Sequence, residues 1–245
     1  MPGIVAVISD IHGNRQALEA VIAAAQERGC EALWCLGDVV GYGGDPGACV
    51  ELTAANTELC LAGNHDLGVL GRVPIDEFSG PARASALWTR EQLTAEHRDF
   101  LLGLSPDEEQ QPVGLYHASP RDPVWEYVLS PLQAELCFDV ARHQVSLIGH
   151  SHVALAFHRA EGQSATGETR SDGEVVDFSS GHWLINPGSV GQPRDGDPRA
   201  AWLELDLNRM TATYRRTTYD IDGAMWAIRA ARLPDELATR LPHGQ

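Results

Sequence analysis

The chain has 245 residues, 43% hydrophobic and 21% charged, with 34 acidic against 18 basic side chains and a formal net charge of −16. That balance argues against a protein that tracks a nucleic-acid polymer, which needs lysine and arginine against the phosphates. A small phosphorylated substrate remains compatible, because divalent cations reverse the local field.

No apolar run approaches the roughly 20 residues of a membrane helix. The first such run, residues 3 to 9, is too short for a signal peptide and lacks its basic flank, so no membrane partner and a cytoplasmic location are expected. The five cysteines, without CxxC spacing, read as small hydrophobes rather than as a disulfide framework or a thiolate zinc site. With no linker-like tract, residues 1–245 read as a single domain.

Residues 3 to 9, rich in Val and Ile, predict a buried strand ending at Asp10. Asn14 is placed to cap a helix whose face is Leu18, Val21, Ile22 and Ala25, ended by Gly29. The apolar run 32 to 36 predicts a second strand, which delivers Asp38. Residues 46 to 55 predict a helix, and 58 to 62 a strand leading to Gly63-Asn64-His65-Asp66. Two β-α-β units result, with right-handed crossovers.

Residues 79–104 predict two helices, the first presenting Ala84, Leu87, Trp88 and Glu91 on one face, the second capped by Thr94 and carrying Phe100, Leu101 and Leu104. This segment is expected to form a helical cap over the site. Strands over 113 to 116 and 145 to 148 end at His117 and at Gly149-His150-Ser151-His152, with a helix over 130 to 142 between them. Residues 162 to 173 read as a mobile hairpin or loop. Strands follow at 183 to 185, 201 to 205 and 210 to 214, then helices at 224 to 231 and 234 to 241.

Asp10 and His12, two apart in an extended segment, are expected to share a face, and His150 and His152 repeat the spacing. Five strand ends thus supply aspartate, asparagine or histidine to one sheet edge, where ligands of open α/β sheets bind. Nitrogen and oxygen donors without thiolates suit two divalent cations of the manganese, iron, zinc or nickel kind.

In chain order the blocks are Asp10-Ile11-His12-Gly13-Asn14, Gly37-Asp38-Val39-Val40-Gly41, Gly63-Asn64-His65-Asp66, His117 and Gly149-His150-Ser151-His152. With them the chain resembles the calcineurin-like metallophosphoesterases over roughly residues 4 to 152. The later Asn186-Pro187-Gly188-Ser189-Val190-Gly191-Gln192-Pro193-Arg194 is similar to the small prokaryotic phosphodiesterase branch of that family. The fold expected is α/β, a four-layer α-β-β-α sandwich of two mixed sheets flanked by helices.

The resemblance implies one metal on Asp10, His12, Asp38 and His152 and another on Asp38, Asn64, His117 and His150. Asp38 bridges them, and manganese comes first among the candidates. A metal-bridging hydroxide would attack phosphorus, His65 would protonate or stabilise the leaving group, and Asp66 would orient the His65 ring.

The chain departs from the phosphoprotein-phosphatase branch, because the loop after Asp38 lacks that branch's arginine. A diester of a small molecule is therefore expected over a monoester. Arg15, Arg121 and Arg194 are candidates to substitute for the missing arginine. Tyr42 is a candidate to stack on an organic group, and Trp125 to line the pocket. The alternatives are a phosphomonoesterase, a protein phosphatase, a dinucleoside polyphosphate hydrolase, or a binding scaffold without catalysis.

Overall fold

The computed structural model describes residues 3–245, beginning at the foot of the first strand. In β1 (Ile4–Ile8), Val5 and Val7 point to one side and Ala6 and Ile8 to the other, each set entering a different core. α1 (Arg15–Glu27) is capped by Asn14, whose side chain accepts from the Ala17 N–H, and it buries Leu18, Val21 and Ala25. β2 (Ala32–Cys35) pairs parallel with β1, α2 (Pro46–Asn56) crosses back, and β3 (Leu59–Cys60) pairs parallel with β2. β3 is shorter than its apolar run predicts, and after three intervening residues the chain enters α3 (Asn64–Val69), a helix absent from the sequence reading.

α4 (Gly80–Gln92) and α5 (Ala95–Leu102) start at caps Ser79 and Thr94, but α4 faces inward differently from expectation. It buries Ala82, Ser85, Ala86 and Thr89, leaving Ala84 and Glu91 exposed and Leu87 45% exposed. The buried set has helical spacing; it is merely small and polar, so hydrophobicity does not mark it. Of the residues 79–104 read as a cap, Ser79 and Ala82 border the cavity described below, while α5 lies against α2.

The rest of the chain runs β4 (Asp107–Gln110), β5 (Val113–Tyr116), α6 (Pro131–Phe138), β6 (Val145–Leu147), β7 (Ala154–Arg159), β8 (Thr166–Thr169), β9 (Val175–Asp177), β10 (His182–Pro187), β11 (Ala200–Asp206) and β12 (Thr211–Thr217). α7 (Ile221–Ala230), α8 (Asp235–Thr239) and a 3₁₀ turn, Leu241–His243, follow. Of the two readings for 162 to 173, the hairpin is the one observed: residues Thr166–Thr169 form β8, paired antiparallel with β7 although all four are exposed. Its polarity marks an edge strand rather than a loop.

The first sheet has the order β3-β2-β1-β11-β12-β9 and the second β4-β5-β6-β10-β7-β8, both mixed parallel and antiparallel. The sheets face each other across Val5, Val7, Trp34 and Leu203 on one side and Leu115, Leu147, Ala156 and Ile185 on the other. The Tyr214 hydroxyl of β12 donates to the Leu155 carbonyl of β7 at 2.7 Å, pinning sheet to sheet. α1, α2 and α5 cover the outer face of the first sheet and α6 that of the second, giving two mixed sheets flanked by helices. No helix among the described residues is long and apolar enough to cross a membrane.

Candidate metal centre

The carboxyl ends of β1, β2, β3, β5 and β6 all open onto one edge, and the loops leaving them are stitched together by main-chain bonds. Asp10 N–H donates to the Gly37 carbonyl at 3.0 Å, His12 N–H to Asp38 at 2.9 Å, Gly149 N–H to His117 at 2.7 Å and Gly191 N–H to Asp10 at 3.0 Å. The 186 to 194 stretch braces them with side chains: Asn186 Nδ2 donates to the Gly149 carbonyl at 2.7 Å and Ser189 Oγ to the Asp10 carbonyl at 2.7 Å.

Asp10, His12, Asp38, His150 and His152 all adopt left-handed backbone, with φ between 50° and 64°. Side chains with a Cβ enter that region at a cost of order 1–3 kcal/mol each, a strain that clusters at functional sites. It also corrects the reason given above for Asp10 and His12. Their segment is a tight loop rather than an extended one, and the left-handed turns, not strand alternation, bring their side chains together.

Each carboxylate has one oxygen fixed and one free. Asp10 Oδ2 accepts from the His150 N–H at 3.1 Å and Asp38 Oδ1 from the His65 N–H at 2.8 Å; Asp10 Oδ1 and Asp38 Oδ2 are buried without a partner. The histidines are polarised in the same sense. Nδ1 of His12, His117 and His152 lies against the carbonyls of Val40 (3.1 Å), Leu36 (2.9 Å) and Gln192 (2.7 Å), so Nδ1 carries the proton and Nε2 offers a lone pair.

Those lone pairs meet other acceptors. His12 Nε2 is 3.0 Å from His152 Nε2 and 3.5 Å from Asp38 Oδ2, His152 Nε2 is 3.5 Å from Asp10 Oδ1, and His117 Nε2 is 3.6 Å from Asp38 Oδ2 and 3.3 Å from Asn64 Oδ1. His150 Nε2 is buried with no partner. Acceptors crowded this closely repel unless something positive lies between them, and the set fits divalent cations.

The ligand atoms fall into an Asp10–His12–His152 group and an Asp38–His117–His150 group, each within 4.8 Å, and Asp38 Oδ2 stands between His12 and His117. Burial pushes Asp10 up to about 7 and raises Asp38 well above the carboxylate range, Asp66 adding to the latter. Burial likewise holds His12, His150 and His152 well below the imidazole range, hence neutral and ready to ligate.

His65 forms a third group with His12 and Asp38, and its ring packs 4.5 Å from Tyr42 and 4.6 Å from Phe78. Burial, then Arg194 and His117, bring it down to about 3, so the ring is neutral. Asp66 does not touch that ring. Its carboxylate accepts from the N–H groups of Val39 (3.2 Å), Val40 (3.0 Å) and Gly63 (2.9 Å), because adjacent helical residues do not face each other. Asp66 therefore clamps the Asp38 loop to the Asn64 loop rather than orienting His65.

Beside these groups lies a cavity of about 410 Å³ whose lining includes Tyr42, Phe78, Trp125, Tyr127, Arg194 and Arg240. Tyr127 stacks on His150 at 4.1 Å, and Tyr42 meets the His12 ring edge-on at 4.6 Å. Of the arginines singled out in the sequence, Arg194 reaches the cavity; Arg15 stands against Asp45 at 3.8 Å and Arg121 is paired with Glu126 at 2.9 Å. Arg240, Phe78 and Tyr127 escaped sequence reasoning, and no local pattern marks them.

Residues 4–208 match the family model of the calcineurin-like phosphoesterase superfamily domain. The chain is 38% identical to an uncharacterized protein of Methanocaldococcus jannaschii over 243 residues, 97% of each chain. Among solved structures it is similar to a metallophosphoesterase from Sphaerobacter thermophilus, with a TM-score of 0.90, 38% identity and all of both chains covered. A hypothetical protein of Pyrococcus horikoshii shares the fold, with a TM-score of 0.78, 20% identity and 99% and 98% coverage.

Proposed function

This chain belongs to the calcineurin-like phosphoesterase superfamily, and on that premise we propose that it hydrolyses a small phosphodiester at a centre of two divalent cations. One observation carries the reading: buried oxygens and imidazole lone pairs converge with no donor between them. Asp10, His12, Asp38 and His152 would hold one cation and Asp38, Asn64, His117 and His150 the other, manganese being first choice, with iron, zinc or nickel as alternatives. When bound, such a pair supplies an activated water near neutral pH and positive charge against the phosphoryl oxygens.

The chain's own residues do the rest. Asp38, whose free oxygen stands between His12 and His117, would share its charge between the two positions. Asp66 keeps the two loops that carry Asp38 and Asn64 in register through three main-chain bonds. His65, buried and neutral beside Asp38, donates its ring N–H to the departing oxygen. Tyr42, Trp125 and Tyr127 offer aromatic surface to the organic groups of the ester.

A diester is favoured because residues 39 to 43 contain no arginine to grip a doubly charged monoester. The second reading, a phosphomonoesterase, draws on Arg194 in the cavity lining. A scaffold is disfavoured, since five candidate ligands held in left-handed backbone cost stability that binding alone does not require. We assign the protein to the cytoplasm, a reading supported by its five free cysteines.

Kinetics on bis(p-nitrophenyl) phosphate and p-nitrophenyl phosphate with each metal in turn test this reading. Higher kcat/KM on the diester is expected; preference for the monoester throughout a pH and metal series transfers it to a phosphatase.

A further inference from the structure

Two guanidiniums border the cavity, and among the described residues neither makes a salt bridge. Arg194 Nη2 donates to Gln192 Oε1 at 2.9 Å and to the Tyr42 hydroxyl at 3.4 Å; its Nε is buried without a partner. Arg240 Nη1 donates to the same Gln192 Oε1 at 3.4 Å. Two cations thus share one amide oxygen. Asp195 and Asp197, which flank Arg194 in sequence, are engaged with Arg216 and with Arg199 at 2.7 Å, while Glu77 on the cavity wall and Glu236 near Arg240 make no ion pair with either guanidinium. Burial and the charge of Arg194 hold the Arg240 guanidinium below its usual range. In a chain with 34 acidic residues against 18 basic, such a juxtaposition is costly unless an anion sits there.

Arg194 lies over the Tyr42 ring, 5.7 Å from its centroid, and Tyr42 in turn lies 4.6 Å from His12, so Arg194 stands one aromatic ring beyond that cation ligand, with Arg240 joined to it through Gln192. Its main-chain N–H donates to the His152 carbonyl at 3.0 Å, fixing that offset. Most of the ten guanidinium N–H donors on the two residues remain unused, a geometry suited to a phosphate more than to a single carboxylate.

We infer that Arg194, Arg240 and Gln192 form a receptor for a second phosphate, so that the substrate is a phosphoester bearing a further phosphate beyond the one cleaved. This rests on the hydrolase reading above and narrows its substrate class. Arg240 acts here as a specificity residue, with no part in bond cleavage.

A matched pair of esters tests it: thymidine 5′-(p-nitrophenyl phosphate), and the same compound carrying a 3′-phosphate. The scissile bond and leaving group are identical. The native enzyme is expected to favour the 3′-phosphorylated ester by roughly 10–100-fold in kcat/KM, the range of one or two charge-assisted hydrogen bonds. Arg240→Gln is expected to remove at least tenfold of that ratio, and Arg240→Lys less, with circular dichroism checking that both fold. Absence of the preference, or its persistence in Arg240→Gln, overturns the receptor.

If neither ester is cleaved with manganese, iron, zinc or nickel, the hydrolase reading falls. Calorimetric binding of thymidine 3′,5′-bisphosphate in EDTA then decides the receptor separately. Binding at least tenfold weaker in Arg240→Gln supports it, and equal or absent binding overturns it.

Discussion

Replacing Gly63 by alanine is expected to abolish binding of both cations through a single methyl group. Gly63 has ordinary extended backbone, φ −93° and ψ 174°, so alanine meets no conformational penalty and the effect is purely steric. A Cβ there would lie 1.9 Å from Asp38 Oδ1 and 2.5 Å from both Asp38 Cγ and its main-chain nitrogen. Asp38 must move, and moving it breaks the 2.8 Å bond from the His65 N–H.

Losing that bond to the carboxylate costs about 1.5–3 kcal/mol and the overpacking about 1–3 kcal/mol, a total of about 2.5–6 kcal/mol. For a chain of this length that lowers the melting temperature by on the order of 10 °C. Gly80→Ala is the control, because nothing lies within 4 Å of its added Cβ and it sits in a helix, where alanine is favoured. Calorimetric metal titration of folded Gly63→Ala at low temperature is the assay. Native stoichiometry and affinity for both ions would refute the argument that Asp38 is wedged in place by the absence of a side chain at 63.

Three further outcomes are expected. Asp38→Asn should weaken both ions, whereas His152→Ala should chiefly affect the one shared with Asp10 and His12; plasma emission analysis of reconstituted protein reads the difference. His65→Ala should keep its metal while losing ~10²-fold in kcat on alkyl-leaving esters and much less on nitrophenyl esters, and loss of metal would make His65 a ligand instead. In cation-free protein the folded state holds the Asp10 proton up to about pH 7, so its stability contribution is complete below the ordinary carboxylate value of 3.8 and disappears as pH rises toward 7. In EDTA, Asp10→Asn should therefore gain on the native protein in unfolding free energy across that window, by on the order of a few kcal/mol, and parallel stability-against-pH curves would contradict the buried-carboxyl assignment.

The strands that end at Asp10, Asp38, His117 and His150 were legible because both faces of each are buried, leaving continuous apolar runs broken by polar residues at the edge. The helix at Asn64–Val69 was not, since its six residues carry no apolar period and its start is dictated by the Asp66 clamp. β7, Ala154–Arg159, went unread, and Thr166–Thr169 was covered only by the hairpin alternative because it is polar throughout. The left-handed backbone of the candidate ligands is set by loops meeting across sequence separations that no local window spans. Arg240 belongs to the same class, arriving at the cavity only because α7 packs on α1 and the tail folds back behind it.

Gln192 divides its labour between main chain and side chain. Its carbonyl receives the His152 Nδ1–H, and its amide oxygen receives the two guanidiniums. A substitution at 192 keeps the carbonyl and changes only the amide. The tautomer of a ring facing the cations is thereby insulated from whatever reshapes the arginine pair, and selection on substrate choice can act at this position while the hydrolytic apparatus is inherited intact. Paralogues that differ at residue 192 would then be expected to diverge in what they cleave sooner than in whether they cleave.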